Sequence, residues 1–170
     1  MTIEVPERPA LITSGSEVDQ LESWLDFYRA TLVIKCAGLS VEQLSLASVP
    51  PSSLTLLGIL RHMTIVEQYW YQVIFAGRVV ELFYKNGDPD GDFNNLGDTP
   101  LDEVECRYWA TCEISRDLAR GHELDEIAPV LRHGNEVDLR WIQLHVIEEY
   151  ARHCGHADLL RECIDETTGY

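Results

Sequence analysis

Four residues near the C-terminal end have the types and spacing that hold metal ions and move protons: His145, Glu149, His153 and His156. On an α-helix a step of four advances about 40° past a full turn, and a step of three falls back about 60°. All four side chains therefore share one side of a helix. Glu149 and His153, at i and i+4, can grip one ion between them. The neighbours Leu144, Ile147, Leu159 and Leu160 predict that much of this helix is buried. Buried carboxylate and imidazole groups are costly unless paired or metal-bound. His62, in ILRHMTIVEQYW, sits among residues that should face a core. A His there can meet ligands from a facing helix, which is how metal sites in helical bundles are built. Two imidazoles and one carboxylate suit Zn, Ni, Fe(II) or Mn and leave positions open for water and substrate.

Spacing alone leaves other assignments open. His62 could be a satisfied core histidine, and the His145–His156 cluster a hydrogen-bonded network or a surface stripe. His122 and His133 lie in irregular segments and are expected to be structural or superficial. Glu148 is rotated about 100° from Glu149 and should meet solvent or an arginine. Cys154 is rotated equally from His153, which argues against its acting as a nucleophile. Arg152 and Arg161 are expected in surface ion pairs, with carboxylate binding as the alternative.

The elements that must position these residues are helices. Residues 1–15, with Pro6, Pro9 and Gly15, form an extended arm. A first long helix starts at an Ser16 N-cap, carries Leu21, Leu25, Tyr28 and Leu32 at helical spacing with Trp24 beside them, and stops at Gly38. Residues 39–54 form a connection with one short turn over VEQL. A second long helix starts near Ser53 or Thr55 and ends at Gly77, with a broad apolar face from Leu56 to Ile74. Residues 85–100 are acids and turn formers. Their D-P-D-G-D core lacks the Glu that closes an EF-hand, so a solvated loop is expected. A third helix spans about Pro100–Arg120, with Thr99 as its cap, Pro100 at its first position and a stripe of Leu101, Val104, Tyr108, Cys112 and Ser115. A fourth begins near Val137. Gly155 lies inside it, where glycine costs roughly 1 kcal/mol against alanine and calls for a packing or site reason. Four amphipathic helices without convincing strands predict one all-α domain over 1–170, a four-helix bundle.

Bulk properties narrow the function. The chain has 170 residues, 45% of them hydrophobic, enough for a sizeable core. A formal net charge of −16 opposes phosphate backbones and anionic lipids, so nucleic acid and membranes are excluded as expected partners. No apolar run is long enough to span a bilayer. The N-terminus lacks a basic region followed by an apolar stretch, so a cytoplasmic protein is expected. Five cysteines with no CxxC pair suit reduced thiols, mostly buried and structural.

Two segments resemble a known family. LLGILRHMTIVEQYWYQVIFAG resembles L-L-G-L-x-R-H-L-x-x-V-E-x-x-W-F of the DinB-like superfamily. RWIQLHVIEEYARHCGHADLLRECIDETTGY is similar to its C-terminal motif, R-W-x-x-x-H-x-I-x-E-x-A-R-H-x-G-H-x-D-x-x-R-E. The opening L-x-x-W-L-D-F-Y-R-x-T matches as well, so the resemblance covers nearly the whole chain. The branch that includes mini-circle proteins is close in pattern. The resemblance implies an up-up-down-down four-helix bundle, often a homodimer. It implies a divalent metal held by one His on the second helix and two residues four apart on the fourth, which fall here on His62, Glu149 and His153. Many relatives carry His where this chain has Glu149; the mycothiol-dependent maleylpyruvate isomerase branch carries Glu. Other relatives are S-transferases using mycothiol or bacillithiol and the iron-binding domain of ergothioneine-forming sulfoxide synthases.

The expected activity is thus a metal-dependent thiol S-transferase joining a low-molecular-weight thiol of the mycothiol type to a small electrophile. A metal-bound thiol is deprotonated near neutral pH. His145 or His156 would relay the proton or orient Glu149. A non-catalytic metal-binding or stress-response protein and a metal-dependent hydrolase are the alternatives.

Overall fold

The computed structural model describes residues 2–81, 88 and 90–169. Helix α1 spans Glu17–Cys36, and its N-cap Ser16 accepts from the Asp19 N–H. The short α2, Val41–Leu44, is closed by a capping box between Ser40 and Gln43. Helix α3, Leu56–Glu67, begins at the Thr55 cap and runs on without a break into a π-helical segment, Gln68–Phe75. Helix α4 covers Leu101–Ala119 and α5 covers Leu139–Asp165, the latter capped by Asp138. The all-α bundle expected from the sequence is the architecture formed, and no β-strand occurs among the described residues.

Cross-helix pairs fix the directions. Glu17 meets Arg140, Tyr28 meets Cys154 and Lys35 meets Asp158, so α1 and α5 run parallel. Arg29 meets Glu67 and Cys36 meets the Leu56 carbonyl, so α3 runs against α1. Asp26 meets Arg116, and the Tyr108 hydroxyl donates to the Arg29 carbonyl, so α4 also runs against α1. The long helices therefore read up, down, down, up. The two parallel pairs of an up-up-down-down bundle are present, but they join first with last and second with third. Because α3 and α4 are parallel, the end of the π-helical segment and the start of α4 lie at opposite ends of the bundle, and the described residues 90–94 lie beside α3.

The core draws on all four long helices. Leu25, Leu32, Leu60, Met63, Tyr108, Cys112, Ile142, Val146 and Tyr150 meet in it, and the whole expected stripe of α4 is buried. Three details depart from expectation. Thr99 makes no cap; Pro100 occupies the N-cap position of α4 without a side-chain bond. Leu144 and Leu159 are exposed, because α5 buries a narrower stripe than its leucines suggested. Gly155 has no packing reason, since a Cβ there would meet nothing within 4 Å. Gly155→Ala is therefore expected to raise stability by up to ~1 kcal/mol, read as a higher urea midpoint with an unchanged slope.

Glu67 and Arg29 carry charge into this core and are 0% and 2% exposed. Arg29 grips Glu67 through Nε and Nη2 at 2.8 and 3.0 Å. The Tyr150 hydroxyl donates to Glu67 at 3.0 Å and lies 3.0 Å from the Tyr108 hydroxyl. Burial opposes the charge on Arg29, but the Glu67 carboxylate outweighs it and holds the guanidinium firmly protonated. This network ties α1, α3, α4 and α5 together on the inner side of the candidate site.

Candidate metal centre

Every residue of α3 from Leu56 to Glu67 is buried except His62. The His62 side chain is 25% exposed, so it sits at an opening in the bundle rather than deep among apolar groups. Because α3 opposes α5, the His62 ring lies against His153, with ring centroids 4.7 Å apart. Glu149 lies one turn before His153 on α5, and its Oε2 is 3.5 Å from His153 Nε2. Ligand atoms of His62, Glu149 and His153 all lie within 4.8 Å of one another.

The donor set fits a divalent ion. Ligands held about 2.1 Å from a tetrahedral ion are about 3.4 Å apart, close to the Glu149–His153 separation. Burial, then the imidazoles of His62 and His156, push the His153 pKa down to about 4. The ring is thus neutral at physiological pH, so an ion need not displace a proton from it. No helix rearrangement is needed to bring the three residues together.

His145 and His156 flank this trio, as the spacing predicted. His145 Nε2 lies 3.6 Å from Glu149 Oε1, and the ring is stacked on Trp141 and met edge-on by Trp70. His156 Nδ1 is 3.4 Å from His153 Nδ1. Glu148 turns outward to Arg152, which also approaches Glu149 at 3.8 Å. Arg161 pairs with Asp165 and donates to the carbonyls of Lys35 and Ala37, away from the trio. Cys154 points to the Tyr28 carbonyl, and burial pushes its thiol up to about 12, which suits packing and not nucleophilic attack.

A recess of about 430 Å³ opens beside His145, lined by Trp70, Arg132, Asn135, Glu136 and Trp141 among others. Two features form it. The π-helical segment, marked by the Ala76 N–H bonding to the Tyr71 carbonyl, carries Trp70 against α5. The segment 124–140 folds over it, held by Ala128–Val137 and Arg132–Asn135 backbone bonds. Its tip, His133-Gly134, has φ of 51° and 80°, both positive as a tight hairpin turn requires. The turn brings the Arg132 guanidinium over the Trp70 ring at 5.7 Å. His133 thus lines the recess, a place its irregular sequence context did not suggest. His122 pairs with Glu126 at the surface, as expected.

Of the acidic connection 85–100, residues 85–87 and 89 lie outside the described residues, and the described part departs most from expectation. Asp92 is not solvated but buried, with its carboxylate 2.6 Å from His62 Nδ1. The sequence signal for this was Phe93, an apolar side chain beside it in a mostly polar run. No described helix is long and apolar enough to cross a membrane.

The family model for mycothiol-S-transferases matches residues 20–166. That span contains α3, α4 and α5, all of α1 but its first three residues, the trio and the recess. No individually curated protein matches the sequence. With most of its length covered by that model and the bundle that carries it formed, the chain belongs to the mycothiol-S-transferase family, a DinB-like family.

Proposed function

We propose that this protein is a metal-dependent S-transferase that joins a low-molecular-weight thiol of the mycothiol type to a small electrophile in the cytoplasm. The observation that carries it is the convergence of His62, Glu149 and His153 from two antiparallel helices at an opening of the bundle. A divalent ion held there supplies Lewis acidity that makes a bound thiol acidic near neutral pH. The chain's own groups do the rest. His145, next to Glu149 and at the mouth of the recess, accepts the thiol proton. The sulfur then bonds to the electrophilic carbon while the carbon–leaving-group bond breaks, and the proton passes from His145 to the departing group. Trp70 and Trp141 offer flat apolar faces to the electrophile, and Arg132 offers a cation to an acidic substituent. His156 steadies the His153 ring from behind.

The test is conjugation of mycothiol to a panel of alkylating electrophiles by metal-loaded protein, followed by mass spectrometry of the thioether. His145→Ala is expected to keep the metal and to slow conjugation by about 10²–10⁴-fold, the range for a lost general base. Metal-loaded protein that hydrolyses the panel but forms no thioether would replace this assignment with a hydrolase. Metal binding without any turnover would leave a metal-binding protein.

A further inference from the structure

We infer that Asp92 is a positioning residue that fixes the ring and tautomer of His62, and that the Gly58, Arg61 and His62 positions of α3 form the dock for the segment that carries it. The inference rests on the metal-centre assignment above. The Asp92 carboxylate, 6% exposed, accepts from His62 Nδ1 at 2.6 Å. A proton held on Nδ1 leaves Nε2, at the other edge of the ring, with its lone pair free for an ion. Asp92 itself stays outside the set of converging ligand atoms among the described residues, so it stands behind the ligand rather than beside the ion.

The dock is built for this purpose. Arg61 donates to the carbonyls of Gly91 and Asn94, at 3.0 and 3.1 Å, on either side of Asp92. Phe93 lies over the His62 ring with centroids 5.7 Å apart. It fits because residue 58 is glycine: a Cβ there would lie 2.4 Å from the Phe93 ring. The Phe93 and Asn94 N–H groups both bond to the Asp90 carbonyl, which closes the turn that aims Asp92 inward. Residues 90–94 thus deliver a buried acceptor to one nitrogen of one histidine.

The experiment pairs zinc affinity, measured by competition with a chromophoric chelator, with ¹⁵N spectra of the histidine rings at fixed neutral pH. Wild type, Asp92→Ala, Asp92→Asn and Gly58→Ala are compared, with circular dichroism to check that each folds. Asp92→Ala is expected to weaken zinc binding by about 10–100-fold and to release His62 into a mixture of tautomers. Asp92→Asn, whose amide oxygen still accepts from Nδ1, should lose less than about tenfold and keep the tautomer. Gly58→Ala leaves the carboxylate in the chain but displaces Phe93, and should reproduce the Asp92→Ala spectrum in part. Asp92→Ala with wild-type affinity and an unchanged tautomer overturns the inference. Weaker binding with an unchanged tautomer also overturns it, and would make Asp92 an electrostatic partner of the ion. A wild type that takes up no zinc, nickel, iron or manganese overturns the metal-centre assignment itself, and this inference with it.

Discussion

His62→Ala is expected to lose stoichiometric binding of a divalent ion, with affinity falling by on the order of 10²-fold or more, while the helical spectrum is retained. The expectation follows from where the ligand sits. Glu149 and His153 lie one turn apart on the same helix, and two ligands from one helix hold an ion weakly. His62 is the member that closes the trio from the opposite helix. Its side chain is partly exposed, so truncation removes little packing, and its Nδ1 partner Asp92 can be reached by water once the ring is gone. Loss of metal with retained fold separates a ligand from a core histidine. A core histidine would lower stability and leave metal binding alone. His145→Ala is the contrasting variant, keeping the ion and losing rate.

Breaking the buried pair gives the other large effect. Glu67→Ala is expected to cost about 3–5 kcal/mol of stability, because it leaves the buried Arg29 guanidinium with only the partly exposed Asp26 carboxylate, 2.9 Å from its Nη1, as countercharge. Arg29→Ala should cost a similar amount by stranding Glu67. The double replacement Arg29→Met with Glu67→Leu should cost less than either single change, since apolar groups of similar size need no countercharge. Urea unfolding of wild type, Arg29→Met, Glu67→Leu and the double replacement forms the cycle that measures the coupling. Equal costs that simply add would show that the pair contributes nothing of its own. Tyr150, which adjoins Glu149 in sequence, donates to Glu67, so the same variants should loosen the α5 side of the metal centre.

How far the site could be read from the sequence depended on the range of each interaction. Helical spacing was enough to put His145, Glu149, His153 and His156 on one side of α5, because that arrangement is set within three turns of one helix. Cap chemistry placed the starts of α1 and α3, again a local matter. The approach of His62 to His153 depends on the opposed directions of α3 and α5, which no local pattern encodes; only the family resemblance joined them. The order of helix directions, up-up-down-down in what the resemblance implies and up, down, down, up in the bundle, likewise rests on contacts between helices. Asp92 was missed because acids and turn formers usually mark solvent, and its burial depends on residues 90–94 lying beside α3. Glu67 and Arg29 did leave a trace: charged residues inside apolar runs are expensive unless paired, so TIVEQYW and DFYRAT each called for a partner. The π-helical turn at Gln68–Phe75 had no counterpart in the apolar pattern, which continues at ordinary helical spacing through it.

One divalent ion is expected to bind where α3 faces α5. The most direct measurement is a crystal of the zinc-loaded protein, with anomalous diffraction recorded on both sides of the zinc edge. One strong peak per chain is expected, about 2.0–2.2 Å from a ring nitrogen of His62, a ring nitrogen of His153 and a Glu149 carboxylate oxygen. A neighbouring group, His145 with Glu148 and Glu149, offers the nearest competing site. A peak there with none at His62, or no peak in a crystal saturated with zinc, would contradict the claim.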